Sequence, residues 1–401
     1  MNRRLSLCLA APVLGLAGCV TTPTQLAQDA VVIDTHIDVP FRLERKPQDV
    51  SVSTPDGDFD YPRARAGGLD AMFMSIYIPA SVDENGGAGV LANKLIDGVE
   101  DLERLHPDKF AVATCAADIL AQKRRGLVSM PMGMENGGPV AGEVQNLQHF
   151  YQRGIRYITL THSKANHISD SSYDDFRRWQ GLSSFGRKLI KAMNDTGVMI
   201  DVSHISDDAF WQVLDLSAVP VIATHSSMRH FTPGFERNMS DEMVAALGSA
   251  GGVIQINYGS GFLTDEARAW STELQREALA YAFNNDIPQN DPRLLAFMQG
   301  YREDHPYPYA TLEDVLDHID RAVEAAGIDA VGIGSDYDGV DDTLPVGLED
   351  VASYPNLIAG LRTRGYDDGD ITKILGDNTL RVWRAAERHA AAQGNPPRCR
   401  G

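Results

Sequence analysis

Short apolar runs, most of them ending in a polar or ionisable residue, recur along the chain and alternate with segments of helical period. The runs are 31–38 (VVIDTHID), 71–79 (AMFMSIYIP), 129–135 (SMPMGME), 155–162 (IRYITLTH), 198–204 (VMIDVSH), 219–225 (VPVIATH), 252–258 (GVIQINY) and 330–336 (AVGIGSD). Near-continuous hydrophobicity with many β-branched residues is the pattern of parallel strands covered on both faces. Between most of them, helical spacing predicts helices over 90–105, 116–125, 143–153, 184–196, 206–215, 240–250 and 312–326. Asp207 and Asp208 sit early in one of these, and Ser240 precedes Asp241 and Glu242 in another, as helix starts favour. Eight such units predict an α/β fold, a (β/α)8 barrel. The stretch 39–70, rich in Pro, Asp, Gly and Arg, reads as a long loop.

Two segments exceed a minimal barrel. Residues 259–311 separate the seventh and eighth strands by more than one helix needs. They hold a helical stretch over 267–284 and the run HPYP at 305–308. They read as an inserted helical segment, either a lid over the strand ends or a packing extension. Residues 350–364 and 367–391 predict two C-terminal helices that close the outer surface.

The N-terminus stands apart from this pattern. Arg3 and Arg4 precede an apolar run, Leu5 to Ala17, too short for a stable bilayer span, so residues 1–18 read as a signal peptide. The run ends in Leu16-Ala17-Gly18-Cys19, which resembles a bacterial lipobox with Cys19 as the lipidated residue. Val20, not Asp, follows, which in such lipoproteins implies outer-membrane sorting. The expected place is the periplasmic face of a Gram-negative outer membrane. Residues 19–30 then read as a tether, 31–392 as the folded domain and 393–401 as a flexible tail. Beyond the signal and Cys19, the cysteines are Cys115 and Cys399. An oxidising compartment permits their pairing, and neither has metal-site spacing.

Composition changes the picture little. The chain has 401 residues, 43% hydrophobic and 23% charged, enough for a sizeable core. Its 36 basic against 55 acidic residues give a net charge of −19, which argues against general nucleic-acid binding.

The strand ends carry the chemistry. The first ends in His36 and Asp38, the third in Glu135, the fourth in His162, the fifth in His204, the sixth in His225 and the eighth in Asp336. His36 and Asp38 are alternate residues, so a strand points them the same way. In a barrel all these ends converge on one face. Imidazoles with carboxylates suit zinc, and less well manganese or cobalt. A single carboxylate can bridge two cations, and Glu135 lies between the two groups of candidate ligands. Two ions so held can polarise a carbonyl and activate water.

With these residues in place, the chain resembles the renal (membrane) dipeptidases, peptidase family M19 of the amidohydrolase group. The matching motifs are Asp34-Thr35-His36-Ile37-Asp38, Gly133-Met134-Glu135, Leu160-Thr161-His162-Ser163, Asp201-Val202-Ser203-His204, Thr224-His225-Ser226-Ser227, Arg237-Asn238, Gly334-Ser335-Asp336-Tyr337-Asp338-Gly339 and Gly347-Leu348-Glu349-Asp350. The resemblance implies two zinc ions, one on His36 and Asp38, one on His204 and His225, bridged by Glu135. It implies that Asp336 is the general acid/base and that His162 steadies the carbonyl oxygen. It implies that Arg237 binds the substrate's terminal carboxylate, a task suited to a bidentate guanidinium. Tyr258 is a candidate pocket-lining residue, and Asp338 reads either as a carboxylate that orients the site or as a turn residue. The implied reaction is hydrolysis of dipeptides, including those with a C-terminal D-residue, and a homodimer stays an open option. Two other readings remain: another metal-dependent reaction on a peptide-like or secondary-metabolite substrate, and a non-catalytic peptide-binding lipoprotein.

Overall fold

A computed structural model describes residues 21–288 and 291–400; the signal segment and Cys19 lie outside the described residues. Ten short strands form one parallel sheet: β1 (Val32–Ile37), β2 (Leu69–Tyr77), β3 (Phe110–Ala111), β4 (Val128–Ser129), β5 (Met132–Glu135), β6 (Ile155–Thr159), β7 (Met199–Asp201), β8 (Ile222–Ser226), β9 (Val253–Ile256) and β10 (Val331–Ile333). The strands pair in the order β10-β9-β8-β7-β6-β5-β2, with β1 also on β2. On its other side β1 meets the chain after β10. A parallel bridge joins Ile37 to Tyr337, Asp336 N donates to His36 O (3.1 Å) and Asp38 N to Tyr337 O (2.9 Å). Inside, the Thr35 hydroxyl lies 2.6 Å from Thr224 O and 3.0 Å from Ile333 O, reaching across the axis. The arrangement is that of a (β/α)8 barrel. β3 and β4 are an addition to it, a short parallel pair laid on the start of β2.

Alternation sorts the strand side chains into two sets. Ile33, Phe73, Tyr157, Met199, Ile222 and Val253 pack together inside the barrel. Val32, Met72, Ile158, Ile200, Ala223 and Ile254 face the surrounding helices. The helices start where the sequence supplies caps: Ser183, Ser206 and Ser240 each accept a hydrogen bond from the backbone three residues on. The segment between β9 and β10 is helical over Ser260–Leu263, Asp265–Asn284 and Pro292–Asp304 before the barrel helix Leu312–Ala326.

Four expectations are corrected. Residues 39–70 are not one long loop: Val39–Arg45 and Tyr61–Gly67 are helices. Residues 23–29 are not a tether but a helix opened by a Thr22–Gln25 capping box, with Leu26 and Ala27 buried. The tail is tied down, because Cys115 and Cys399 are disulfide-bonded and Thr114 Oγ1 donates to Arg398 O at 2.6 Å. The last helix, Asn378–Ala392, does not merely cover the outside. Leu380, Val382 and Trp383 join the inward-facing set, and the Trp383 ring lies 5.3 Å from Phe73. Among the described residues, no helix is long and apolar enough to cross a membrane.

Candidate metal centre

The C-terminal strand ends bring His36, Asp38, Glu135, His162, His204, His225 and Asp336 together. Glu135 is the hub, and its two oxygens face different partners. Oε2 lies 3.5 Å from Nε2 of His36, which is 3.4 Å from Asp38 Oδ2. Oε1 lies 3.1 Å from Nε2 of His204, 3.2 Å from that of His225 and 3.6 Å from that of His162. The His204 and His225 Nε2 atoms are 2.9 Å apart. All these side chains but His162 are almost fully buried.

The left-handed backbone helps aim two of them. His204 (φ 69°) and Asp336 (φ 65°) turn sharply just past their strands, a conformation that His and Asp tolerate better than most residues. Ser172 N donates to His204 O (2.8 Å), which holds that turn.

Hydrogen bonds behind the cluster fix the imidazole tautomers. Tyr157 OH donates to Thr35 O (3.1 Å) and so accepts from Nδ1–H of His36 (2.9 Å), leaving a lone pair on Nε2. The Tyr157 ring fits there because residue 133 is glycine: a Cβ would sit 1.9 Å from its Cζ. Thr224 Oγ1 donates to Asp201 Oδ2 (2.7 Å) and accepts from Nδ1–H of His225 (2.8 Å). Asp201 also receives Thr159 Oγ1 at 2.5 Å. Asp34 accepts from His36 N, Ser335 N and Tyr354 OH, stitching the first strand end to the last.

Burial first, with the Arg237 charge adding to it, holds His204 and His225 well below the usual imidazole range, so both are neutral lone-pair donors. Burial alone would raise Glu135; the imidazoles of His36, His162, His204 and His225 that surround it hold it well below the carboxylate range. Asp336 is pushed up to about 7 by burial, with Asp38 and Glu135 adding to the rise. Its Oδ2 accepts from Asn257 Nδ2 (2.8 Å), while Oδ1 faces His36 Nε2 at 4.0 Å.

The donor set fits metal ions. Nε2 of His36 and Oδ1 of Asp38 are buried without a hydrogen-bond partner. A tetrahedron with metal–ligand bonds of about 2.0 Å has edges of about 3.3 Å. The separations of 3.1–3.5 Å from Glu135 to the His36, His204 and His225 nitrogens match such edges. Without a cation between them, lone pairs at these distances would repel.

Arg237 joins the cluster from the loop after β8. Its guanidinium donates to Ser226 Oγ (2.8 Å), His225 O (2.6 Å) and His204 Nε2 (3.1 Å). Tyr258 does not join it. It is 0% exposed and packs its ring on Tyr337 at 5.8 Å. Strand alternation explains the correction: the preceding residue, Asn257, faces Asp336, so Tyr258 points away. Asp338 latches neighbouring loops. It accepts from Asp58 N and donates its own N–H to Asp58 Oδ2, both at 2.7 Å, and pairs with Arg42 Nε at 3.0 Å. Asn257, Tyr157, Asp201 and Asp34 hydrogen-bond the cluster from behind, and spacing alone did not single them out. Only Asp34 and Asp201 carried a signal, as first residues of the His-bearing motifs.

Comparisons with known proteins agree with this geometry. Residues 21–396 match the model of the membrane dipeptidases, peptidase family M19. Dipeptidase tcpJ of Claviceps purpurea is 30% identical, over 84% of this chain and 71% of its own. The solved structure of the probable dipeptidase PvdM from Pseudomonas aeruginosa superposes with a TM-score of 0.79 at 27% identity, covering 92% of this chain and 98% of its own. A metallopeptidase from Rhodobacter sphaeroides, solved with a phosphinate mimic of L-Ala-D-Ala, gives 0.72 at 25% identity, covering 89% and 99%. The chain therefore belongs to the membrane dipeptidase family, peptidase family M19, of metal-dependent dipeptidase-type hydrolases.

Proposed function

We propose that the protein hydrolyses dipeptides at a two-zinc centre. The observation that carries this is the split of Glu135, with one oxygen toward His36 and the other toward His204 and His225. His36 and Asp38 would hold one ion, His204 and His225 the other, and Glu135 both. When bound, such a pair of ions polarises a carbonyl and makes a water acidic enough to attack at neutral pH. Arg237 anchors the terminal carboxylate by charge-assisted hydrogen bonds. His162, on the rim of the cluster, donates to the carbonyl oxygen as negative charge develops there. Asp336 accepts the proton of the attacking water and delivers it to the departing amine, its far oxygen held by Asn257. The peptide mimic bound by the Rhodobacter sphaeroides relative makes a D-residue at the C-terminal position a natural substrate feature.

The test is metal analysis with a dipeptide library that includes L,D pairs. Two zinc ions per chain and dipeptide cleavage are expected. A metal-loaded protein that cleaves no dipeptide would move the site to another peptide-like substrate. We further propose that the chain is exported and held by lipid on Cys19, on the strength of Leu16-Ala17-Gly18-Cys19. Replacing Cys19 by Ala should release the protein from the membrane fraction.

A further inference from the structure

A dipeptide anchored by its carboxylate on Arg237 must place the side chain of its C-terminal residue within a few bonds of that guanidinium. Three aromatic rings stand there, two on loops and one on the short helix Ser260–Leu263. Phe262, at the start of the insertion, lies with its ring centre 5.3 Å from Cζ of Arg237. Phe235, two residues before Arg237, lies 5.9 Å from Phe262. Tyr173, from the loop after β6, lies 5.9 Å from Phe235 and 5.8 Å from the His204 imidazole. The rings form an arc that begins at the metal-facing His204 and ends at Arg237.

The arc is built, and it is open. Tyr173 is 42% exposed, and Phe235 and Phe262 are only partly buried. Large apolar surface left open beside a site rich in charge marks a place where something apolar docks. The loops that carry it are fastened to one another. Arg177 pairs with Glu236, whose other oxygen accepts from Asp207 N at 2.9 Å. Asn238 Nδ2 donates to Phe262 O at 2.8 Å. The charges around the arc are already engaged: Arg268 lies over Phe235 and pairs with Asp265 at 2.7 Å, and Arg229 pairs with Asp207 at 2.6 Å.

We propose that Tyr173, Phe235 and Phe262 form the subsite for the C-terminal side chain of the substrate, and that they select dipeptides whose C-terminal residue is large and apolar. The proposal rests on the dipeptidase reading above. An acidic or basic side chain there would lose its hydration against three ring faces, and a glycine would leave them wet.

The experiment compares Ala-Gly, Ala-Ala, Ala-Leu, Ala-Phe, Ala-Asp and Ala-Lys on the metal-loaded full chain. Values of kcat/KM roughly tenfold or more higher for Ala-Leu and Ala-Phe than for Ala-Gly and Ala-Asp are expected, the usual worth of an apolar pocket. Phe262→Ala and Phe235→Ala should collapse that ratio, and Phe262→Leu should keep most of it. Equal rates on Ala-Asp and Ala-Phe, or a ratio untouched by both alanine variants, would overturn the subsite. Calorimetry with phosphinate mimics ending in Ala or Phe separates this outcome from failure of the dipeptidase reading. If no dipeptide is cleaved, tighter binding of the Phe mimic still supports the subsite, and equal binding still sinks it.

Discussion

The strand side and the loop side of the cluster touch, yet they are held in different ways. His36, Glu135 and His225 leave strands of the barrel, and behind them stand Tyr157, Asp201, Asp34 and Thr224, all fully buried and each hydrogen-bonded. Arg237, Tyr173 and Phe235 leave loops and Phe262 the short helix Ser260–Leu263, and ion pairs and ring contacts between these segments keep them in place. A strand end surrounded by packed neighbours can hold ligands to the tolerance a metal demands. A loop can change its side chains without disturbing the barrel. The comparison predicts that damage on the strand side is large and independent of substrate, whereas damage on the loop side depends on which substrate is offered.

The largest effect should come from Asp336→Asn. The amide keeps the shape and the Asn257 contact but cannot take the proton, so turnover should fall by roughly 10²–10⁴. Metal content measured by elemental analysis should stay at the wild-type value. A variant that loses its metal as well would make Asp336 a ligand rather than the acid/base.

Arg237→Met should come next, at roughly 10–100-fold, the range of a lost hydrogen bond to a charged partner. The loss should appear mainly in KM and only for substrates with a free carboxylate. An equal loss on carboxyl-amidated dipeptides would remove the anchoring role.

Asp201→Asn strikes the strand side one step from the metal. Asp201 fixes Thr224, which fixes the His225 tautomer, and outer partners of this kind typically contribute 10- to 100-fold in metal affinity. A chelator titration should show that weakening, with near-normal kcat once metal is in excess. Unchanged affinity would mean that the His225 ring is oriented by packing alone.

The same division explains what could be read in the sequence. The eight barrel strands were legible because their apolar runs are nearly unbroken, and the candidate ligands because six of those runs end in His, Asp or Glu. Three short helices were not: 23–29, 39–45 and 61–67. Each carries proline in its first turn, at Pro23, Pro40 and Pro62. Proline is welcome there because its missing N–H is one the helix start leaves unpaired. In a stretch also rich in Gly and Asp, those prolines look like loop. Tyr258 was misplaced by one residue of strand phase, which is enough to send a side chain to the opposite face. The aromatic arc was invisible for another reason: it joins residues 173, 235 and 262, and no period links three separate connections.

The fastening of loops to barrel can be tested through His318, on the helix Leu312–Ala326. Its Nδ1 accepts from Met228 N and its Nε2–H donates to Leu263 O, both at 2.9 Å. It thus ties the loop that carries Phe235 and Arg237 to the one that carries Phe262. Full burial pushes its pKa down from 6.5 to about 4, and the Nδ1 contact survives only in the neutral ring. In the unfolded chain the imidazole takes up a proton near its ordinary value of about 6.5. Between the two values the unfolded state therefore binds more protons, and stability falls as pH drops. The contribution is complete above pH 6.5, is lost progressively down to about pH 4, and amounts to on the order of 3 kcal/mol. His318→Gln keeps a donor and an acceptor but does not titrate. Urea unfolding at pH 7 and pH 5 should show a smaller drop in the variant than in the wild type. Equal drops would mean that His318 is protonated in the folded protein, and that the two loops are joined by something other than a neutral imidazole.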